Sequence, residues 1–380
     1  MQDQPFPVGE RTARFRAAHF AGVSDVDWND WKWQMRNRIR DLDGIGRILR
    51  LTPGEEEAIR RRQGMLPLGL TPYYASLLDA GDPDQGLRRT KIPSLLEFER
   101  APDEVPDPLG EEAHTPVRGI VHTYDDKVLF LVTDFCATYC RYCTRSRMVG
   151  GGERPPSREM WEGALDYIRA TPRIRDVLLS GGDPLTLSDD RLAWLLDQLV
   201  AIPHVEFIRI GTKVPAVLPH RVTPALLAVL RKAHPLFFSI HVVHPDELTP
   251  EMAEACNRLA DAGIPLGGQT VLLKGVNDDP EVMTRLNLGL LRMRVKPYYL
   301  HQCDPVLGSA HFRTPVSAGL DILRALHGRT TGYAVPQYMI DAPGGGGKVP
   351  IAPDYVHARD GEYLVLRNYK GELYRYWDPV

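Results

Sequence analysis

Three of the five cysteines in this sequence lie close together, at Cys136, Cys140 and Cys143, with a C-x3-C-x2-C spacing. Three thiolates can hold zinc with a fourth ligand from elsewhere, or three irons of a 4Fe-4S cluster whose fourth iron stays open. Cys256 and Cys303 are distant in sequence and form no second pair. Structural zinc sites usually complete their four ligands with a second pair, which this sequence lacks. We therefore favour a 4Fe-4S cluster whose fourth iron has no cysteine ligand. A zinc loop or a buried-thiol loop is the alternative.

Two glycine-rich segments also carry candidate chemistry. In SGGDPL, residues 180–185, the glycines allow either a close backbone approach to a ligand or a plain strand-to-loop turn. In DAPGGGGK, residues 341–348, four glycines predict a mobile loop that carries Lys348. Such a lysine could swing to a carbonyl, as the Schiff-base lysine of a pyridoxal phosphate (PLP) enzyme does. A flexible hinge is the alternative, and Val349 breaks the usual phosphate-loop pattern.

Composition limits the classes of protein that fit. With 380 residues, 43% hydrophobic and 25% charged, the chain can bury a large core as one large domain with appendages or as two domains. A net charge of -3 without long basic runs argues against nucleic acid and anionic membranes as partners. We find no signal peptide and no apolar run long enough to span a bilayer. Five cysteines are too few for a disulfide scaffold, so we expect a cytoplasmic protein with reduced thiols.

Apolar spacing and cap residues indicate where the helices and strands lie. Residues 24–39 predict one amphipathic helix with the apolar stripe Trp28, Trp31, Met35 and Ile39. Between residues 53 and 116, helix-like pieces alternate with Pro-rich and Gly-rich breaks, which predicts a helical collar. Seven strands are predicted after residue 119, at 128–134, 176–182, 206–212, 236–242, 268–273, 296–302 and 336–341. Helices between them are predicted to begin near Ser157, Ser188, Thr223, Thr249, Asp279 and Ser317.

Strands that recur about every thirty residues with helices between them indicate parallel βα units. Six or seven units suit a full or partial (βα) barrel, with a doubly wound sheet as the alternative. Either fold places chemistry on the loops that follow the strands, where the cysteine motif lies. We expect a helical collar over 1–118, the barrel over 119–345, and a lysine loop with a short C-terminal tail over 346–380.

The cysteine spacing with Tyr142 before the last cysteine resembles the signature of radical S-adenosylmethionine (SAM) enzymes. Nearly the whole chain resembles the lysine 2,3-aminomutase family, including WNDWKWQMRNR, LTPYYASL, RDVLLSGGD, VLPHRVTPAL, HFRTPVS and DAPGGGGK. The resemblance implies an α/β fold built on a partial (βα)6-type TIM barrel. It also implies a 4Fe-4S cluster on Cys136, Cys140 and Cys143, and PLP on Lys348. The residues implied to contact SAM are Ser180, Gly181, Gly182, Asp183, His241 and Gln269.

The implied reaction interconverts an L-α-amino acid and its β-isomer through a deoxyadenosyl radical. Arg145 matches the position whose guanidinium pairs with the substrate carboxylate, and an exposed helix arginine is the alternative. Asp304 and Asp341 match the pair that receives the distal ammonium group in lysine enzymes, and a desolvated ammonium needs opposite charge. Each aspartate could instead cap a helix or brace a loop. Retaining both acids favours lysine over glutamate, while arginine and ornithine stay open.

Three departures from the family pattern concern the cofactors and the pocket. The PLP phosphate site has Thr123 and Lys127 around Tyr124, where the lysine enzymes carry two arginines. Asp279 stands where the clostridial-type enzymes have a zinc-ligating cysteine, and the C-terminal segment YRYWDPV lacks their cysteines, so no zinc is predicted. His301 replaces a tyrosine, which keeps other basic substrates open.

Three hypotheses follow for the function. The first is a lysine 2,3-aminomutase, and the second is the same chemistry on another amino acid or on a lysine that modifies a translation factor. The third is a zinc or iron-sulfur module without catalysis. For the enzyme we expect a small amino acid as substrate, a reducing protein such as flavodoxin or ferredoxin, and a homo-oligomer.

Overall fold

Seven parallel strands form the centre of the molecule, as the alternation of apolar strands and capped helices predicts. The computed structural model describes residues 6–61, 66–150 and 156–379. The parallel strands are β2 (Lys127–Thr133), β3 (Asp176–Gly181), β4 (Phe207–Thr212), β5 (Leu236–His241), β6 (Leu266–Leu272), β7 (Lys296–Gln302) and β8 (Gln337–Ala342). They pair in chain order, so each crossover returns beside the strand it left. This confirms the predicted α/β fold.

Helices cover the sheet between successive strands. They are α8 (Arg158–Arg169), α9 (Asp189–Val200), α11 (Pro224–Leu230), α12 (Pro250–Asp261), α13 (Pro280–Arg292) and α14 (Val316–Leu326), and the short α10 (Val214–Val217) follows β4. Five of them start at the predicted cap, where a side-chain oxygen accepts a hydrogen bond from a backbone N–H of the first turn. These caps are Ser157, Ser188, Thr223, Thr249 and Asp279. The last helix instead follows Pro315, two residues before the predicted Ser317.

The sheet is an open barrel with an antiparallel strand at each edge. β1 (Ile120–Val121) pairs with β2, and β9 (Gly347–Ile351) pairs with β8. The prediction of a mobile loop at Lys348 was wrong, since this residue lies on β9 opposite Asp341. Glycines of 343–346 make the tight turn between β8 and β9 rather than a long flexible segment. In the described chain no pairing joins β1 to β9, which leaves the barrel partial.

A separate antiparallel sheet follows at the C-terminus, where the sequence predicts only a tail. It consists of β10 (Val356–Asp360), β11 (Tyr363–Arg367) and β12 (Leu373–Trp377). Most of its side chains are exposed, including Tyr376 and Trp377. Because neither face is buried, the sequence lacks the clear inward-outward alternation of a half-buried sheet. The division at residues 118 and 345 stays a prediction.

The N-terminal part is helical, as predicted, but its helices are short. They are α1 (Glu10–His19), α2 (Asp25–Asn29), α3 (Trp31–Arg36), α4 (Leu42–Gly46), α5 (Pro53–Arg61), α6 (Pro72–Ala75) and α7 (Gly86–Arg89). The single helix predicted over 24–39 was wrong. Asp30 has an extended backbone, and its carboxylate accepts hydrogen bonds from Lys32 N and Trp33 N, so it ends one helix and caps the next. None of the described helices is both long and apolar enough to cross a bilayer.

The ends of β2 and β3 meet in a contact that only glycine permits. Gly181 has a φ of 114°, and a Cβ on Gly182 would lie 2.4 Å from the carbonyl oxygen of Phe135. Asp183 N donates a hydrogen bond of 2.9 Å to that same oxygen. The glycines therefore hold the cysteine loop against the end of β3.

Substituting Gly182 tests the close contact between the end of β3 and the cysteine loop. Gly182→Ala should lower the free energy of unfolding by about 1–3 kcal/mol, because the new methyl group meets fixed backbone atoms. Gly211→Ala, on the neighbouring β4, is the control, since its Cβ would meet nothing closer than 3.7 Å. Denaturant unfolding of the two variants measures the difference, and equal stabilities would show that the contact imposes no constraint.

Candidate active site

The cysteine loop follows β2 directly and is fastened to the helical collar. Arg38 Nη1 donates a hydrogen bond of 2.7 Å to Cys136 O, and its guanidinium lies 4.2 Å from the centre of the Phe135 ring. Cys136, Cys140 and Cys143 are unpaired and partly buried. The loop therefore holds three reduced thiols at the mouth of the barrel, where the sequence predicts them.

The three thiols interact electrostatically with one another. Burial raises the pKa of Cys136 well above its ordinary value and that of Cys143 to about 11, and repulsion from Cys140 adds to both. Burial also opposes ionisation of Cys140, but the ammonium groups of Lys91 and Lys213 outweigh it and lower the pKa of this thiol. Cysteine thiolates are the ligands of iron-sulfur clusters, so the donor set fits a cluster held by three cysteines.

The SGGDPL segment lies at the end of β3, next to the cysteine loop. Ser180 Oγ is 3.4 Å from Arg145 Nη1. The buried Asp183 carboxylate accepts hydrogen bonds of 2.7 Å from Thr212 Oγ1 and from Lys213 N, although burial raises its pKa. Asp183 thus braces β3 against β4. The SAM contacts of Ser180, Gly181, Gly182 and Asp183 stay predictions.

His241 links the far side of the barrel to the cysteine motif. It lies at the end of β5 opposite Gln269 on β6, and its Nε2 is 2.7 Å from the Tyr142 hydroxyl. Burial lowers the pKa of His241 well below its ordinary value, so the imidazole is neutral. The tyrosine before the last cysteine therefore positions this histidine at the mouth, while Gln269 remains half-buried beside it.

Arg145 is paired with a carboxylate that the sequence did not suggest. Its Nη2 and Nε donate hydrogen bonds of 2.6 and 3.0 Å to Glu111 Oε1. Burial alone would lower the pKa of Arg145, but Glu111 outweighs it and raises the pKa. The two residues are 34 positions apart. No sequence pattern links residues at this separation, so the ion pair between Arg145 and Glu111 becomes visible only in the folded structure.

Lys348 and Asp341 form an ion pair across the edge of the sheet. Lys348 Nζ lies 2.7 and 2.8 Å from the two carboxylate oxygens, because β8 and β9 place the residues directly opposite each other. His301 Nδ1 is 3.6 Å from Asp341 Oδ2. Burial would raise the pKa of Asp341, but His301 and Lys348 lower it to about 2. This acid is therefore ionised at neutral pH.

Asp304 lies at the end of β7, near the same group of charges. Burial and the charge of Asp341 raise its pKa to about 7, while Lys348 and Arg145 act in the opposite direction. Within residues 6–61, 66–150 and 156–379, no cation lies within ion-pair distance of its carboxylate. Asp304 and Asp341 therefore act on each other electrostatically, and of the two only Asp341 has a cation within ion-pair distance in the described structure. Their shared role in binding a substrate ammonium stays a prediction.

Tyr124 and Lys127 lie beside the candidate Schiff-base lysine. The Tyr124 hydroxyl accepts a hydrogen bond of 2.8 Å from Lys348 N. Lys127 Nζ is 4.3 Å from the centre of the Tyr124 ring, and Gly347 lies against the same ring. The ammonium of Lys127 and the phenol of Tyr124 could bind a phosphate group, and the Lys348 amine beside them could react with a carbonyl group. This combination fits a ligand that carries both a phosphate and a carbonyl. The contacts of Tyr124 and Lys127 with PLP stay predictions.

Comparison with known proteins agrees with these motifs. A family model described as "Lysine-2,3-aminomutase" matches residues 323–380, and one described as "Radical SAM superfamily" matches residues 130–286. The chain is 48% identical over 361 residues to L-lysine 2,3-aminomutase of Clostridium subterminale, across 95% of this chain and 87% of that protein. It is 42% identical over 355 residues to glutamate 2,3-aminomutase of Clostridioides difficile, across 93% of this chain and 84% of that protein.

A third relative extends the likeness over almost a whole protein. L-lysine 2,3-aminomutase of Escherichia coli is 34% identical over 336 residues, which is 88% of this chain and 98% of that protein. Together with the open barrel and the three thiols at its mouth, these matches establish the family and its class of reaction. The chain is an isomerase that belongs to the lysine 2,3-aminomutase family of radical SAM enzymes.

Proposed function

We propose that this enzyme is a PLP-dependent 2,3-aminomutase that converts a basic α-amino acid, L-lysine foremost, to its β-isomer. The observation that carries the proposal is the grouping of Asp304 and Asp341 around Lys348, at the mouth that holds the three thiols. A substrate with a distal ammonium finds there one ionised acid and one acid without a cation. A substrate with an acidic side chain, such as glutamate, would be repelled by the two aspartates.

The chain's own residues divide into three groups around the cofactors. Cys136, Cys140 and Cys143 would hold the 4Fe-4S cluster, and Lys348 would bind PLP covalently. Residues that would contact SAM are Ser180, Gly181, Gly182, Asp183, His241 and Gln269. When bound, the cluster with SAM supplies a radical that removes a substrate hydrogen, and PLP supplies a carbonyl that takes up the substrate amino group.

Asp341 has a different partner in each state of this site. Before PLP binds, its carboxylate neutralises the Lys348 ammonium at 2.7 Å. With PLP held by Lys348, the lysine nitrogen would be taken up in the bond to that group rather than standing as a free ammonium. The partly buried Asp341 carboxylate would then attract the distal ammonium of an incoming substrate.

Arg145 can hold the substrate carboxylate without leaving Glu111. The side edge of the guanidinium, Nε and Nη2, is used by Glu111, while Nη1 faces Ser180 at the longer distance of 3.4 Å. Nη1 is therefore the donor available to a substrate carboxylate. Glu111 fixes the plane of the guanidinium so that this donor points into the mouth.

The proposed function also concerns the compartment, the electron donor, the oligomeric state and the range of substrates. The five free cysteines suit a reducing cytoplasm, and the cluster calls for a one-electron reductant such as flavodoxin or ferredoxin. We propose a homo-oligomer without an intersubunit zinc at Asp279, whose carboxylate caps α13 by accepting hydrogen bonds from Glu281 N and Val282 N. Arginine, ornithine or a lysine used to modify a translation factor are alternative substrates, because the acid pair recognises any distal cation.

A substrate comparison tests the proposal directly. Anaerobic, reduced enzyme with SAM and PLP is incubated separately with L-lysine, L-arginine, L-ornithine and L-glutamate, and the β-isomers are separated and quantified. Conversion of a basic amino acid, with lysine fastest, is expected. Conversion of glutamate alone would show that the two aspartates do not select a cation.

The covalent role of Lys348 predicts a chemical signature. PLP added to the protein and reduced with borohydride should label the peptide that contains Lys348, and Lys348→Arg should abolish the label. Lys274→Arg is the matched control, because Lys274 is an exposed residue outside the site. Equal labelling of Lys348→Arg and the unsubstituted protein would remove PLP from this position while leaving the radical chemistry intact.

Asp304 predicts the pH dependence of substrate binding. Its pKa of about 7 means that its carboxyl group is mostly neutral at pH 6 and mostly ionised at pH 8. Only the ionised form attracts an ammonium, so KM for lysine should fall about tenfold from pH 6 to pH 8. Asp341 contributes nothing to this change, since its pKa of about 2 keeps it charged throughout.

Asp304→Asn is the control for that profile. It should raise KM at pH 8 and flatten the dependence, because amide and protonated acid are both neutral. A KM that stays constant or rises from pH 6 to pH 8 in the unsubstituted enzyme would contradict a cation site at Asp304.

A further inference from the structure

A buried lysine contacts the cysteine loop from the side of the helical collar. Lys91 is 1% exposed, and its Nζ lies 3.0 Å from Cys140 Sγ. An ammonium group is rarely buried without an opposite charge, because removing it from water costs several kcal/mol. The hydrogen-bond acceptor that the structure gives Lys91 is the sulfur of Cys140, one of the three cysteines proposed to bind the cluster.

The position of Lys91 is fixed by two further contacts between the collar and the loop. Arg141 N, next to Cys140, donates a hydrogen bond of 3.0 Å to Thr90 O, next to Lys91. The Arg141 side chain is buried and forms a two-point ion pair with Glu97, with Nε 2.9 Å from Oε1. These contacts hold the two chain segments together on both sides of the N–H···S contact.

The buried charged groups around Lys91 include more cations than anions, and the sulfur of Cys140 lies next to them. Glu247 is fully buried, and its carboxylate already has Lys213 Nζ at 2.5 Å, the Tyr74 hydroxyl at 2.8 Å and Val243 N at 2.7 Å. Two buried ammonium groups, of Lys91 and Lys213, therefore face one buried carboxylate. Among the described residues, Cys140, whose sulfur lies 3.0 Å from Lys91 Nζ, is placed to supply the second negative charge as a thiolate or through what its sulfur binds.

We propose that Lys91 donates a charge-assisted hydrogen bond to the cluster ligand Cys140 and thereby raises the reduction potential of the 4Fe-4S cluster. The step concerned is the addition of one electron to the cluster from a low-potential one-electron donor, without bond breaking. The added electron makes the cluster more negative, so a fixed ammonium beside a ligand sulfur stabilises the reduced form more than the oxidised form. Lys91 is a positioning residue that acts through Cys140.

This inference rests on the cluster of the proposed function and is independent of PLP and of the amino acid. The test is a spectroelectrochemical titration of the anaerobically reconstituted full chain without SAM, PLP or substrate, after iron and sulfide have been quantified. At the midpoint potential of the unsubstituted protein, Lys91→Met should lower the ratio of reduced to oxidised cluster at least tenfold. For a one-electron couple that ratio corresponds to a shift of about 59 mV.

Two further variants separate charge from packing. Lys91→Arg keeps a cation and should restore most of the potential, and Lys232→Met, at an exposed position on the outside of the barrel, should not change it. Should the methionine variant lose its cluster, Lys91→Gln, which keeps N–H donors but no charge, should shift the potential in the same direction.

Three results would overturn the inference. The first is a neutral Lys91 variant with full iron content whose ratio of reduced to oxidised cluster stays within threefold of the unsubstituted protein. The second is a shift of the reduction potential in Lys232→Met as large as that in Lys91→Met. The third is a Lys91→Arg variant whose reduction potential does not return towards that of the unsubstituted protein. Failure of the unsubstituted chain to take up any cluster would instead refute the proposed function itself. The two failures are therefore distinguishable.

Discussion

The ion pair between Lys348 and Asp341 is the interaction on which the proposed chemistry depends. It exists because β9 turns back along β8 and places the two residues directly opposite each other. An edge strand with a tight glycine turn thus places the Lys348 side chain at the mouth of a parallel barrel. We propose that the same carboxylate also attracts the distal ammonium of the substrate.

Charges at the mouth follow a consistent pattern of pairing. Arg141 is neutralised by Glu97, Arg145 by Glu111, Lys213 by Glu247, and Lys348 by Asp341. Lys91 and Asp304 depart from that pattern. Lys91 contacts a thiol, and in the part of the chain that the structure describes no cation lies within ion-pair distance of the Asp304 carboxylate, although Lys348 and Arg145 act on it from further away. Because unpaired buried charge is costly, these two residues mark where a cluster and a substrate would complete the balance.

Local signals in the sequence were enough for the parallel strands and for the position of the cysteine loop, whereas the choice of a barrel over a doubly wound sheet came from the family resemblance. Apolar runs and cap residues predict all seven parallel strands to within two residues at each end, because burial on both faces requires continuous apolar stretches. Local signals failed where a single side chain decides the outcome, as at Asp30, which divides a predicted helix. They also failed for β9, since glycines that allow a tight turn equally suggest a mobile loop.

The candidate site was only partly predictable for a related reason. Family motifs led to the thiols, Lys348 and the two aspartates, whereas Glu111 and Lys91 had no motif and meet their partners only through long-range folding. The central claim is that Asp341 and Asp304 together bind the distal ammonium of the substrate. A crystal structure of the anaerobic enzyme with SAM, PLP and L-lysine tests this claim most directly. Both carboxylates are expected within about 3 Å of that ammonium, and an ammonium bound away from the two acids would contradict the claim.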